Sequence, residues 1–495
     1  MPDLRNILES KITQVILALL FAAFAGSWLL GRVPVQSPVL LSGALVGYII
    51  LIAVFLAARP VIQEIPFTTL LFYLLVFTSF LGAGILSIPA GPITMFPYRI
   101  VYMVMVPVFL YLALYRREGL QWDKVKIKPV LYFHLFWVLY ALFSLSWTRS
   151  FSMGAVDLIF LVIGISLIFF MVLLLKKEEE YIHVYWIWLV MFAVLTAIGL
   201  WNHVTHNHLA ISRINQVADY QKGIPTSVFV NENDFASFIS VSFFLALAFV
   251  HRTKSWLLKA AGGSVMLVSL YVLVYTSSRA NYIAIPLGLL FWFVFLTNRN
   301  VKKALILLGA AGGVALAAMY PAKLMAVVTK VEGILISLMT SDAPEAEITS
   351  VDIRSNLIKN AWLFFERSFG FGIGSGNSKY YLMHFAEYPT KGIINVHNWW
   401  MEILANYGAM IFIGYILLYL WVILQLFRIF RQSYTRYEKM ISEGLLGGMI
   451  AFSLSCISPS SQISLNYLWL LFAFSLSFIN YWRVKQNERP YRPMK

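Results

Sequence analysis

Residues 154–177 read GAVDLIFLVIGISLIFFMVLLLKK, an apolar stretch with a single acid, Asp157, that ends in two lysines. Roughly 17–25 apolar residues in a helix are enough to cross the ~30 Å of hydrocarbon in a bilayer. Lysines next to such a helix favour the cytoplasmic side of the membrane. This stretch therefore predicts both a membrane-spanning helix and its orientation.

Runs of the same kind recur along the whole chain of 495 residues. Hydrophobic residues make up 60% of the sequence and charged residues only 12%, which is too apolar for the cores of soluble domains. We predict an all-α polytopic membrane protein with about fourteen transmembrane helices. The predicted spans are 12–30, 39–58, 67–88, 95–115, 130–147, 154–175, 181–201, 233–251, 256–276, 280–297, 303–320, 407–427, 443–458 and 463–482.

The net charge of +15 is explained by membrane orientation rather than by nucleic-acid binding. With a cytoplasmic N-terminus and a retained first helix, the strongly basic short loops all fall on one side, as the positive-inside rule requires. Both termini are then cytoplasmic. The single Cys456 excludes a disulfide framework and a thiolate metal site. The basic groups are Arg59, Arg116 to Lys128, Lys176 and Lys177, Arg252 and Lys254, Arg299 to Lys303, Arg428 to Lys439, and the tail from Arg483.

This topology leaves two long segments on the outer side, and long loops of this kind usually carry function. The second segment includes a predicted helix at 351–369. The predicted organisation is helices 1–7 in 1–201, an outer loop in 202–232, helices 8–11 in 233–320, a large extracytoplasmic loop in 321–406, and helices 12–14 with a basic tail in 407–495.

Basic residues on the outer side are not explained by topology. Arg279 is the clearest example, because it lies between two apolar runs that are joined by almost no loop. A cation at the bilayer edge is costly unless it is paired or faces water, so Arg279 is a functional candidate. The alternative is an arginine that reaches the lipid headgroups. Arg99 is interpreted in that way, and Arg149 as a structural partner of Asp157.

His397 opens the run HNWWMEILANYG, residues 397–408. Read as a helix, this run places His397, Met401, Leu404 and Gly408 on one stripe. A histidine in the outer aqueous boundary can accept a proton near neutral pH. From the spacing alone, we prefer a hydrogen-bonded interfacial histidine without a chemical role.

Two further patterns are weaker. His203, His206 and His208 have no carboxylate nearby at ligand spacing, which disfavours a metal site. The glycines of 370–376 are neither preceded by a strand nor followed by Gly-Lys-Ser/Thr, which excludes a nucleotide-binding loop. Turn formation or flexibility near a substrate explains them equally well.

Three motifs carry a resemblance to a known family. They are FVNENDFA at 229–236, Ser278-Arg279 at a helix start, and an outer loop with Arg354, FGIG at 371–374, Asn377, His397-Asn398 and Gly408. Together they resemble the O-antigen ligase and O-antigen polymerase superfamily of bacterial surface polysaccharide assembly. Glu232 stands where the family usually has proline, and Ala280 where it usually has glycine. The length and helix count are similar to the teichuronic-acid branch.

The resemblance implies a metal-independent glycosyltransferase in the bacterial cytoplasmic membrane, with its active site on the extracytoplasmic face and no cofactor. The donor would be a glycan on undecaprenyl diphosphate. His397 would be the general base and Arg279 a second catalytic residue. Binding of the diphosphate or glycan would fall to Arg213, Arg279, Arg354, Asn231, Asn233, Asn377 and Asn398.

The resemblance leaves the acceptor open. A polymerase that extends another lipid-linked repeat is favoured, and a ligase that moves the glycan to lipid A core or protein is the alternative. Other implied partners are the bilayer, a chain-length regulator and a flippase, but no nucleic acid. A transporter or flippase of lipid-linked sugars is disfavoured, because the notable charges lie at the outer edge and the two halves do not resemble each other.

Overall fold

The computed structural model describes residues 66–85, 87–90, 93–115, 121–304 and 350–488, with a few isolated residues between 305 and 349. The predicted spans at 12–30 and 39–58, and most of the span at 303–320, lie outside the described residues. Within those ranges the chain is almost entirely helical. The only strands there form a two-stranded antiparallel hairpin, in which Ile88 pairs with Met95.

Thirteen α-helices and two strands follow one another along the described ranges. Their bounds are α1 Phe67–Thr78, β1 Ile88–Ala90, β2 Ile93–Met95, α2 Pro97–Tyr115, α3 Lys128–Ser144, α4 Phe151–Leu174, α5 Glu178–Thr205, α6 Glu232–Arg252, α7 Trp256–Tyr275, α8 Arg279–Phe291, α9 Ser350–Arg367, α10 Ser378–His384, α11 Trp399–Gln432, α12 Arg436–Ser455 and α13 Asn466–Glu488. A π-helical turn, Trp292–Leu296, continues α8.

Among the described residues, seven helices are long and apolar enough to cross a membrane: α2, α4, α5, α6, α7, α8 with its π-helical turn, and α11. Two shorter helices, α1 and α3, are also apolar. The expected multi-pass helical architecture is therefore confirmed. The count of fourteen spans and the orientation of the termini stay predictions.

Local signals explain where these helices begin. The Ser150 side chain caps α4 by accepting a hydrogen bond from the Met153 amide at 3.4 Å. Three consecutive glutamates, Glu178 to Glu180, occupy the first turn of α5, where the helix dipole favours negative charge. Asn231 caps α6 by accepting from the amides of Asn233 and Asp234. Polar residues between apolar runs thus set the helix boundaries.

Glycines let the membrane helices pack closely. A side chain at Gly164 of α4 would lie 2.2 Å from the Trp469 ring of α13, and one at Gly288 of α8 would lie 2.2 Å from the ring of Phe244 in α6. Small residues at such crossings allow large aromatic side chains to fill the space between helices inside a membrane.

Two predicted boundaries need correction. The predicted span 67–88 is interrupted, since α1 ends at Thr78 and a turn follows. Gly84 in that turn approaches the backbone of Val228 so closely that a Cβ atom would lie 2.4 Å from the Val228 carbonyl oxygen. The span predicted to start at 407 begins at Trp399, because Asn398 caps the helix there.

α11 is interrupted at Gly408, whose φ of 74° and ψ of −175° are not helical. The glycine-rich run 370–374 binds this interruption through backbone hydrogen bonds. The Ile373 amide donates to Ala405 O at 2.9 Å, the Gly374 amide to Asn406 O at 3.0 Å, and the Ala409 amide to Gly370 O at 2.9 Å. The glycine run is therefore a docking segment.

The helix connections that carry the basic residues share one end of the bundle, here called the basic end. Lys485 Nζ lies 2.7 Å from Glu178 Oε2. The buried Glu443 accepts from Arg252 Nε at 2.5 Å and from Trp292 Nε1 at 2.6 Å. A buried carboxylate needs such donors. The starts of α4, α6, α8 and α11 lie at the opposite end, here called the site end.

A small second core covers the site end. It joins α9, the glycine run, α10 and the segment before His397 to α11, and consists of Leu357, Ala361, Phe364, Ile373, Leu382, Val396 and Ala405. Within the predicted loop 321–406, the described residues from 350 onward thus form a packed layer, and the helix expected at 351–369 is present as α9.

We predict that Gly408→Ala is strongly destabilising. Its backbone conformation is nearly exclusive to glycine, and a Cβ atom would lie 2.3 Å from Gly370 O. The expected loss is about 2–4 kcal/mol, the sum of backbone strain and overpacking. Thermal unfolding in detergent, followed by size-exclusion fluorescence, measures it.

Gly263→Ala is the matched control, because a Cβ atom there meets nothing within 4 Å. It lies inside α7, where alanine favours the helix over glycine. Equal melting temperatures for the two variants would contradict the docking of the glycine run on α11.

Candidate functional site

A cavity of about 440 Å³ opens at the site end. Its walls come from the outer loop before α6, the first turns of α6 and α9, and the segments before α11 and α13. The polar side chains that line it are Arg213, Asn231, Glu232, Asn233, Arg354, Asn395, His397 and Ser460. Five of these eight, Arg213, Asn231, Asn233, Arg354 and His397, were singled out from the sequence as site residues, although they are far apart in the chain.

His397 lies just before α11 rather than within it. Its φ of 51° is left-handed, and the Asn398 side chain caps the helix by accepting from the Met401 amide at 3.2 Å. The predicted stripe of His397, Met401, Leu404 and Gly408 on one helix face is therefore wrong. The Asn398 cap starts α11 after His397, and the non-helical backbone at Gly408 interrupts the helix.

The ring of His397 is held by a backbone carbonyl. Nδ1 lies 3.3 Å from Ser458 O. A carbonyl only accepts, so Nδ1 carries the proton in the neutral ring and Nε2 is left as the acceptor. Burial lowers the pKa of His397 below its usual value of 6.5, and the charge of Arg354 lowers it further. At neutral pH the imidazole can therefore act as a base.

Arg354 lines this cavity, and Arg279 lies close enough to Arg354 for their charges to interact. Arg354 is half-buried, and its pKa is lowered by burial and then by the nearby charge of Arg279. Arg279 is exposed and is the first residue of α8, where the helix dipole also favours an anion. Within the described ranges neither guanidinium forms an ion pair with a carboxylate.

Arg213 differs, because Glu232 neutralises it. Arg213 Nε donates to Glu232 Oε2 at 2.8 Å, and Nη2 contacts the second carboxylate oxygen. This hydrogen bonding raises the pKa of Arg213. Glu232 is the residue that replaces the usual proline of the resembling motif. The substitution therefore supplies a counter-ion for one of the three arginines.

Asn233 joins three segments of the site. Its Oδ1 accepts from Ser278 Oγ at 2.9 Å and from Ser458 Oγ at 2.8 Å. Ser278 directly precedes Arg279, and Ser458 O holds His397. The network therefore links the start of α6, the start of α8 and the loop after α12, so that the arginine and the histidine are fixed relative to each other.

The loop 457–462 was missed in the sequence analysis. Its serines and Gln462 lie between two apolar runs and looked like an ordinary connection. The structure gives them several partners: Ser461 Oγ donates to Glu402 Oε1 at 2.9 Å, and Gln462 Nε2 donates to Cys456 O at 3.0 Å. Only the polar composition of this loop could have indicated its role.

Asn377 and Asn398 do not line the cavity. Asn377 is fully buried, and its Oδ1 accepts from the Ser150 amide at 2.8 Å. It therefore attaches the glycine run to the start of α4. Asn398 caps α11. Both support the site through the backbone.

Other polar residues at this end have structural contacts. The interpretation of Arg149 and Asp157 as a pair is wrong, since Asp157 accepts from Ser375 Oγ at 2.9 Å and from Tyr407. His203 Nδ1 lies 2.7 Å from Gly223 O, and His208 Nε2 lies 2.7 Å from Lys222 O. Among the described residues, no three His, Cys, Asp or Glu side chains are grouped to hold a metal ion.

We predict that Arg354→Gln raises the pKa of His397. A positive charge near the imidazole disfavours its protonation, so removing that charge moves the pKa upward. Diethylpyrocarbonate modifies unprotonated histidine, and mass spectrometry resolves the modified residue. The midpoint of His397 modification against pH should lie below 6.5 in the natural protein and rise in the variant.

Arg149→Gln removes an exposed arginine from the same end of the bundle, outside the cavity, and should leave this midpoint unchanged. A midpoint that stays constant or falls in Arg354→Gln would show that the two groups do not interact.

Two comparisons relate this chain to known proteins. A family model described as O-antigen ligase matches residues 264–419, which include Arg279, Arg354 and His397. The chain is 36% identical over 409 residues to the teichuronic acid biosynthesis protein TuaE of Bacillus subtilis (strain 168), which covers 82% of this chain and 83% of the relative. The chain therefore belongs to the O-antigen ligase and polymerase-like family of proteins of surface polysaccharide assembly.

Proposed function

We propose that this protein is a membrane glycosyltransferase that uses a glycan on undecaprenyl diphosphate as its donor. The supporting observation is that Arg354 and a half-buried His397 with a lowered pKa line one cavity at the site end, with Arg279 close enough to Arg354 for their charges to interact. In the proposed orientation this end faces the extracytoplasmic side, because the basic connections lie at the opposite end.

Arg354 and Arg279, which form no ion pair among the described residues, suit a diphosphate leaving group. Guanidinium groups bind phosphate oxygens bidentately and stay charged at any working pH. In the reaction, the bond between the anomeric carbon and the diphosphate oxygen breaks, and its electron pair leaves with the diphosphate. Arg354 and Arg279 stabilise the charge that develops there, which is often the largest contribution to catalysis.

His397 activates the acceptor. As an acceptor hydroxyl forms its bond to the anomeric carbon, its proton passes to Nε2 of His397. A single displacement of this kind inverts the configuration of the sugar. The scheme needs no divalent metal, since the arginines supply the positive charge.

Arg213 has a different role in this proposal. Its charge is compensated by Glu232, so it contributes directed N–H groups rather than net charge. The Arg213–Glu232 ion pair lies beside Asn231 and Asn233 in the wall of the cavity. We assign the sugar of the donor to this wall. Asn377 and Asn398 act on the substrate only indirectly, by holding the glycine run and the start of α11.

A second lipid-linked repeat is the acceptor that we favour. The relative is named for teichuronic acid biosynthesis, which refers to assembly of an envelope polymer. Ligation to lipid A core or to protein remains the alternative. Membership of this family favours an enzyme over a transporter of lipid-linked sugars. A flippase that delivers the donor and a chain-length regulator are the partners that such a polymerase requires.

We predict that purified protein transfers glycan from a lipid-linked donor in the presence of EDTA. His397→Ala should lower the rate about 10²–10⁴-fold, because the acceptor loses its base. Arg279→Ala and Arg354→Ala should each lower it about 10²-fold, because stabilisation of the leaving group is lost. Product formation is followed by gel electrophoresis of labelled glycan.

Arg149→Ala is the matched control for the arginine variants and should retain activity within about twofold. Variants at His397 and Arg279 that remain folded and fully active would exclude the proposed mechanism. Activity that EDTA abolishes and added divalent cation restores would exclude metal independence.

A second prediction separates the two acceptor classes. If the protein is a polymerase, the lipid-linked repeat alone should give a ladder of longer lipid-linked products. A donor that stays unchanged until lipid A core or a protein acceptor is added would identify a ligase instead.

A further inference from the structure

A second cavity, of about 520 Å³, lies at the site end against the other side of the glycine run. We propose that it is a carbohydrate subsite that holds a sugar of the acceptor or growing glycan away from the reacting carbon. This inference rests on the proposed function. Its principal lining residues are Tyr140, Phe143, Trp147, Arg367, Phe371 and Tyr381.

The aromatic side chains are fixed in a way that leaves ring surface for a ligand. Tyr140 Oη donates to Phe371 O at 2.6 Å, and Trp147 Nε1 donates to Gly372 O at 3.1 Å. Phe143 packs edge to face on Trp147 with ring centroids 5.5 Å apart. The polar atoms of Tyr140 and Trp147 are thus used within the protein, while their rings line the cavity.

The rim of this cavity is charged. Arg367 forms an ion pair with Glu387, and the two side chains are 54% and 50% exposed. Half-exposed charges of this kind do not belong in hydrocarbon. A prenyl chain would need an apolar path without such groups. A sugar offers apolar C–H faces for the rings and hydroxyl groups for the Arg367 guanidinium and Ser368, which is the mixture that lines this cavity.

The position of the cavity suits a glycan that also reaches the reaction site. α9 carries Arg354 near its start and Arg367 at its end, and thirteen helical residues span about 20 Å. The glycine run, which docks on α11, forms part of the wall of this second cavity through Gly372 and Ile373. One rigid layer therefore holds both cavities at a set distance, and an oligosaccharide can occupy both.

Binding of a lipid-free saccharide tests the subsite without requiring transfer. The probe is the oligosaccharide released by mild acid from the lipid-linked repeat of the host, measured by isothermal titration calorimetry on the full-length protein in detergent. Combining Phe371→Ala with Arg367→Gln should weaken binding at least about tenfold. Both side chains are exposed, so the fold should survive, which a thermal melt checks.

Phe369→Ala is the matched control. Phe369 is 91% exposed, lies two residues from Phe371 and does not line the cavity. Its removal should change the affinity by less than about twofold. Equal affinities for the natural protein and the double variant would overturn the subsite. A second outcome would also overturn it: farnesyl phosphate displaces the saccharide from the natural protein and from Phe369→Ala, but not from the double variant. The cavity would then bind a prenyl chain.

Transfer assays on the same variants separate this inference from the proposed function. If both hold, the double variant needs more acceptor to reach the natural rate of a single transfer, and it makes shorter polymers. Saccharide binding by a protein that transfers nothing would reject the transferase and retain the subsite. Transfer with natural polymer length in the double variant would reject the subsite and retain the transferase.

Discussion

The backbone hydrogen bonds between the glycine run 370–374 and the interrupted turn at Gly408 attach the outer layer to the membrane helices. Backbone groups inside or beside a membrane must find partners within the protein. Breaking α11 frees the groups around Ala405 and Asn406, and the glycine run satisfies them. Both segments need glycine, because a Cβ atom on either would collide with the backbone of the other. The position of the layer that contains α9 and α10 follows from this attachment.

The electrostatics of the reaction cavity depend on which arginines have a counter-ion. Glu232 compensates Arg213, whereas Arg354 and Arg279 approach each other without a carboxylate within ion-pair distance in the described ranges. Two like charges held together cost free energy in the absence of a ligand, and an anionic ligand removes that cost. The same field, together with burial, keeps the neighbouring imidazole neutral. In the proposed mechanism, the charges that bind the diphosphate therefore also keep the base unprotonated.

The sequence predicted the helices well where the apolar pattern was long and the caps were polar, as in α4 and α6. It also predicted the residues around the reaction cavity, because outer-side arginines have no topological explanation and because the motifs resemble a known family. It failed where long-range contacts set the local structure. The end of α1 depends on the backbone of Val228, and the position of His397 outside α11 depends on its cap and on Ser458. No local pattern reports such contacts.

By itself, the sequence determined that the chain is a membrane protein and that its basic loops belong to one end of the helical bundle. It also determined which residue types are available for binding phosphate and transferring a proton. These follow from hydropathy, charge placement and side-chain chemistry, which are local properties. Only the tertiary structure decided that Glu232 neutralises Arg213, that Asn377 supports the backbone, and that an aromatic cavity lies beyond the glycine run. Those outcomes depend on which distant segments meet, and that is decided by packing across the whole helical bundle.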